Sequence, residues 1–139
     1  MLYYLNSKSE ARNTKQYQMT EIKNSKLYDL EERTLIFARK CREFVKILPK
    51  TIGNTEDGKQ LIRSSGSVGA NYIEANESLS KKDFILRCKI SRKEAKESRY
   101  WLQLVDTNNI QEINLKKQEL IKEATELMNI FGSIIRKSE

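Results

Sequence analysis

From Leu30 onward, apolar residues recur at alternating four- and three-residue intervals, and no stretch shows the two-residue alternation of a half-buried strand. Leu30, Thr34, Phe37, Cys41, Phe44 and Leu48 form the first stripe, opened by the D-x-x-E capping relation of Asp29 and Glu32 and stopped by Pro49, the single proline. Lys50 to Asn54 reads as a turn. Thr55 is expected to cap a second helix running to about Asn76, with Leu61, Ser65, Val68, Tyr72 and Ala75 on its core stripe. Gly66 and Gly69 weaken that helix by about 1 kcal/mol each relative to alanine, so it needs tertiary packing to hold it. With Ile62 and Ile73 they form a second stripe whose bare centre lets a neighbouring element approach closely. Ser80 and Asp83 cap a third helix, whose stripe of Phe84, Cys88, Ser91, Ala95, Ser98, Leu102 and Val105 has a waist of small residues. Asp106 to Asn109 breaks the chain. Leu120, Ala124, Leu127, Phe131 and Ile134, flanked by Ile121, Met128 and Ile135, then give a fourth helix a broad apolar face. Four amphipathic helices on short loops predict an all-α, antiparallel up-and-down four-helix bundle.

Composition bounds this picture. At 139 residues, 38% hydrophobic and 32% charged, the chain is one domain's worth of sequence. Residues 1–26 are rich in Asn, Ser, Lys, Thr and Gln without an apolar face, and read as a flexible tail; residues 27–139 read as the bundle domain. Met19, just ahead of the organised sequence, is a candidate natural start, which would make residues 1–18 an upstream extension. No stretch has the pattern of a membrane span or a secretory signal, so a cytoplasmic protein without a membrane partner is expected. Cys41 and Cys88 lack metal or redox spacing and fall on core stripes, as buried thiols do. Of the net charge of +7, only +4 belongs to residues 27–139, too little for its sign to identify a partner.

Residues 69–76 (Gly-Ala-Asn-Tyr-Ile-Glu-Ala-Asn), Ser80-Lys81-Lys82-Asp83-Phe84, the run from Ile90 to Ser98 and Tyr100-Trp101-Leu102 carry a resemblance. Over roughly residues 27–137 the chain resembles the four-helix bundle family encoded by intervening sequences of bacterial 23S rRNA genes. The resemblance implies up-down subunits assembled as a ring, typically a homopentamer, with no firmly assigned biochemical activity. It is also similar in fold to the accessory protein of diversity-generating retroelements, a basic pentameric barrel that binds nucleic acid and a reverse transcriptase. Many members carry proline where Gly69 stands, so this chain departs from the family at that position of the second helix.

The chain has no histidine, which removes Ser-His-Asp and Cys-His catalysis and the Glu-x-x-His ligand pairs of di-iron bundles. No catalytic residues, metal ligands or cofactors are assigned, and the protein is read as a non-enzyme. Arg63, Asn71, Glu74, Glu94 and Glu97 are expected to form a polar network between helices two and three; the competing reading, a carboxylate metal site of Glu74, Glu94 and Glu97, conflicts with the nearby Arg63 charge. Helix three also carries Lys82, Lys89, Arg92, Lys96 and Arg99 at spacings of 7, 3, 4 and 3, with Lys93 beside them. Such a row either contacts phosphates, giving salt-sensitive and sequence-indifferent affinity, or is a solvated face. Tyr100 and Trp101 point about 100° apart on a helix, so one of them reaches a helix or subunit boundary; Trp101 is the expected interface anchor, and a base-stacking platform is the rarer alternative. Taken together, these features predict an oligomeric scaffold, a pentamer by resemblance, that contacts RNA or DNA through helix three. The alternative is a structural adaptor for a protein partner.

Overall fold

The structure is a computed structural model that describes residues 30–139. It contains α1 (Leu30–Ile47), α2 (Ile52–Asn76), α3 (Lys81–Leu104) and α4 (Gln111–Ser138), with no strand among the described residues. The expected tail, the candidate start at Met19 and the Asp29 cap lie outside these residues.

Each short loop returns the chain antiparallel to the helix before it. Thr34 meets Gly69 while Val45 meets Gly58, so α1 and α2 run in opposite senses. Ser91 on α3 donates to the Val68 carbonyl of α2 at 2.8 Å, and Ser98 donates to Ser64 at 2.8 Å, the same reversal for α2 and α3. Arg99 reaches Thr125 and Lys89 reaches Glu139, which sets α3 against α4 in the same way. α4 returns beside α1, where Arg33 meets Glu123. The result is the expected all-α four-helix bundle.

Every core stripe expected from the sequence is buried. Tyr72 and Phe131 meet edge to face at 5.5 Å in its centre. The small-residue waist lets α2 and α3 lie close together, and the buried serine hydroxyls are satisfied there. Ser98 also donates to its own helix at the Glu94 carbonyl, 2.9 Å away.

Two local expectations are corrected. Thr51, not Thr55, caps α2: its hydroxyl accepts from Asn54 N at 3.0 Å, and Thr55 N already donates to the Thr51 carbonyl at 2.9 Å. Of the second α2 stripe, only Gly69 mediates a close approach, since a Cβ there would lie 2.7 Å from Thr34 Oγ1; Gly66 faces the Arg42 guanidinium and Ile73 is exposed. α2 itself runs unbroken through Gly69. α4 begins at Gln111 and buries Ile113 ahead of the expected stripe. The break ahead of it falls where expected: Asn108 and Asn109 adopt left-handed backbone, which asparagine tolerates, and Asp106 accepts from Asn108 N at 2.8 Å.

Candidate nucleic-acid interface

α3 is held by two local devices, the Ser80 hydroxyl accepting from Asp83 N at 3.1 Å and Lys117 of α4 donating to the Gln103 and Val105 carbonyls at its C-terminal end. With Phe84, Cys88, Ser91, Ala95, Ser98 and Leu102 turned inward, the helical period carries the basic row onto the flank toward α4 and the outer face. Lys82, Lys89, Arg92, Lys93 and Lys96 are exposed and Arg99 is half-buried. From Lys82 to Arg99 the row extends ~25 Å at 1.5 Å per residue.

Little within the described chain neutralises this row. Lys89 lies 3.9 Å from Glu139 and Arg99 Nη1 donates to Thr125 Oγ1 at 3.2 Å, while Lys82, Arg92, Lys93 and Lys96 have no ion-pair partner among the described residues. The acids of α4 explain this, because Glu119, Glu123 and Glu126 recur on the flank that faces α1. There Arg33 forks onto Glu123, Nε to Oε2 at 2.7 Å and Nη2 to Oε1 at 2.8 Å, and also reaches Glu126 at 3.0 Å. The Glu123 hydrogen bond is the main reason the Arg33 pKa is raised. α4 thus presents acids to α1 and Thr125, Gly132 and Arg136 to the α3 row.

The expected α2–α3 polar network is divided into two. Arg63 pairs with Glu97, and with Glu94 at 3.4 Å. Burial alone would lower the Arg63 pKa; the bond to Glu97 and the charges of Glu94 and Glu97 outweigh it and raise the pKa. Asn71 is engaged elsewhere, accepting from Arg87 Nη1 at 3.0 Å and donating to the Ser67 carbonyl at 2.9 Å. Glu74 is exposed, and among the described residues its carboxylate joins neither group, which corrects its assignment. Among the described residues no group of three or more His, Cys, Asp or Glu side chains is arranged to hold a metal ion. No helix of the described residues is long and apolar enough to cross a membrane.

Residues 26–133 match the family described as 23S rRNA-intervening sequence protein. The chain belongs to that family. Its fold is also similar to the crystal structure of a protein of unknown function from the S23 ribosomal protein family of Bacteroides thetaiotaomicron, at 31% identity and a TM-score of 0.62, over 76% of this chain and 96% of that one. No curated protein matches.

In this member of the intervening-sequence family the two adjacent aromatics divide their roles. Trp101 packs against the core and its indole N–H points to Glu97 Oε1 at 3.4 Å, so it is largely engaged within its own chain. Tyr100 stands edge-on to it at 5.1 Å and is 54% exposed, the more available of the two for a neighbour. Arg136 was not singled out in the sequence because it lies some forty residues from the α3 row. Its only local signal is a basic side chain in the last turn of α4.

Proposed function

We propose that the protein is a non-enzymatic, oligomeric scaffold of the cytoplasm, a pentamer by family resemblance, that contacts nucleic acid, RNA in the first instance, through the outer flank of α3. The observation that carries this reading is the separation of charge on α4. Glu119, Glu123 and Glu126 lie on the flank toward α1, where Arg33 holds the last two, which leaves Lys82, Lys89, Arg92, Lys93 and Lys96 with a single distant ion pair at Lys89. Contacts of this kind release counterions and give affinity that falls steeply with salt and depends little on sequence. In a ring, several copies of the row act together wherever geometry lets them engage one strand, so weak contacts of single subunits become a stronger whole.

Fluorescence polarisation of labelled RNA and DNA across a salt series tests the reading, with Lys89, Arg92 and Lys96 changed together to Gln and the oligomer mass measured by light scattering. Steep salt dependence that the triple variant abolishes supports it; absence of binding at low salt overturns it.

A second reading has its own observation. Between α1 and α4 lies an open cavity of about 290 Å³, lined by Lys40, Glu43, Phe44, Ile47, Lys116, Glu119 and Leu120. Ile36 and Ile47 are exposed along the same α1 flank, as expected of an adaptor that receives a protein partner. Salt-insensitive retention of one defined protein, lost on Ile36→Asp or Ile47→Asp, distinguishes it.

A further inference from the structure

On the basic flank, two arginines from different helices converge on one glycine. Gly132 of α4 is buried, and a Cβ placed there would lie 3.3 Å from Arg136 Nη1 and 4.0 Å from Arg92 Nη1. The two nitrogens are therefore no more than about 7 Å apart. Neither guanidinium has an ion-pair or hydrogen-bond partner among the described residues. The neighbouring arginines differ: Arg63 holds Glu94 and Glu97, Arg87 holds Asn71, and Arg99 holds Thr125. Two like charges this close repel each other, and the absent side chain at position 132 is what lets the Arg136 guanidinium lie against α4 near Arg92.

We infer that Arg92 and Arg136 form a clamp over Gly132 that seats one backbone phosphate of the bound nucleic acid, an inference that rests on the nucleic-acid reading above. A phosphodiester offers two unesterified oxygens, and each planar guanidinium presents a fork of N–H donors suited to them. One anion between the two cations replaces their repulsion with two charge-assisted contacts. The missing Cβ at position 132 lets the Arg136 guanidinium settle close to Arg92, and both side chains are exposed, so the phosphate meets the pair from the solvent side. The clamp also ties the last turns of α4 to the α3 row, so the interface spans two helices. Arg99, Lys96 and Lys89 continue it toward neighbouring phosphates.

The test uses the full chain and a fluorescein-labelled single-stranded RNA, with Arg92→Gln, Arg136→Gln, the double variant, and Lys122→Gln as a charge-matched control on the opposite flank of α4. Thermal melts establish that each variant is folded. Arg136→Gln is expected to weaken binding about tenfold and to reduce the salt slope by ~0.7, one phosphate's worth on a single strand. The double variant should lose less than the product of the two single losses, because both arginines serve one phosphate. Lys122→Gln should stay within about twofold of the unmodified protein, the change expected when long-range charge alone is altered.

If Arg136→Gln binds like the unmodified protein while the Lys89, Arg92, Lys96 triple variant does not bind, the clamp is wrong and the α3 reading survives. If no RNA binds the unmodified protein, both fail. Inorganic phosphate that raises the melting temperature of the unmodified protein but not of Arg136→Gln, without RNA binding, would make the site one for free anions and overturn the clamp as stated.

Discussion

Asn54 and Asp106, fifty-two residues apart, are joined through both edges of one side-chain amide: Asn54 Nδ2 donates to the Asp106 carbonyl at 2.8 Å, and Asn54 Oδ1 accepts from Asp106 N at 2.9 Å. The same Nδ2 donates to the Pro49 carbonyl at 3.0 Å. One buried asparagine therefore ties the α1–α2 loop to the α3–α4 loop at one end of the bundle. Asn54→Ala leaves two carbonyls and one N–H without their partner, and should cost about 2–4 kcal/mol in urea unfolding. Asn54→Asp, which keeps the acceptor and loses the donor, should not recover it.

Gly69 and Gly53 on the same helix should respond to alanine with opposite signs. A Cβ at 69 would sit 2.7 Å from Thr34 Oγ1 and 3.1 Å from Thr34 Cβ, whereas nothing lies within 4 Å of one at 53. Thr34 cannot easily move, because its hydroxyl donates to the Glu31 carbonyl at 2.8 Å on its own helix. Gly69→Ala should destabilise by about 1–2 kcal/mol despite the better helix former, and Gly53→Ala should stabilise by up to about 1 kcal/mol. A double-mutant cycle with Thr34→Ala should relieve the part of the cost owed to Oγ1, since alanine keeps the Cβ, and additive losses would place the strain elsewhere.

The Arg33 fork is the described ion-pair link between α1 and α4. Lysine keeps the charge but not two parallel bonds to Glu123, so Arg33→Lys should cost about 1 kcal/mol or less. The difference between the two proteins should shrink in high salt, which unfolding at two NaCl concentrations would measure.

Burial pushes the Cys41 thiol up to about 12 and the Cys88 thiol up to about 11, and it raises the Tyr72 phenol as well. These groups remain neutral in the folded chain at a pH where the unfolded chain has ionised them. Their contribution to stability is thus complete below about pH 9 and is lost as pH rises through 11 and 12. Melting temperature should be level with respect to these groups near neutral pH and fall above pH 9. Both thiols should resist Ellman's reagent until the protein is unfolded in urea; fast reaction of the folded chain at pH 8 would contradict the burial.

Much of the bundle was legible from residues because helix period and capping are local. Ser80 meets the amide three residues on, and Leu61, Val68, Tyr72 and Ala75 share a face by rotation alone. The misplaced α2 start has a local cause too. Thr51 and Thr55 are both capping types, and the choice of Thr51 coincides with Asn54 being drawn inward to Asp106. Glu74 was assigned to the polar network by its helix and charge, yet the rotation of α2 leaves it in solvent while Arg63, on the same helix, reaches Glu94 and Glu97.

The sequence by itself determined four helices, their inward faces and the presence of a basic row on α3, since each follows from spacing along one segment. Only the tertiary structure decided that the acids of α4 turn to Arg33, that Arg136 comes beside Arg92 over Gly132, and that Asn54 bridges two loops. Those pairings depend on the axial register and rotation of one helix against another. Register and rotation come from how side-chain volumes such as Gly69 against Thr34 and Ser91 against Val68 fit together, and no single helix carries that information in its own period.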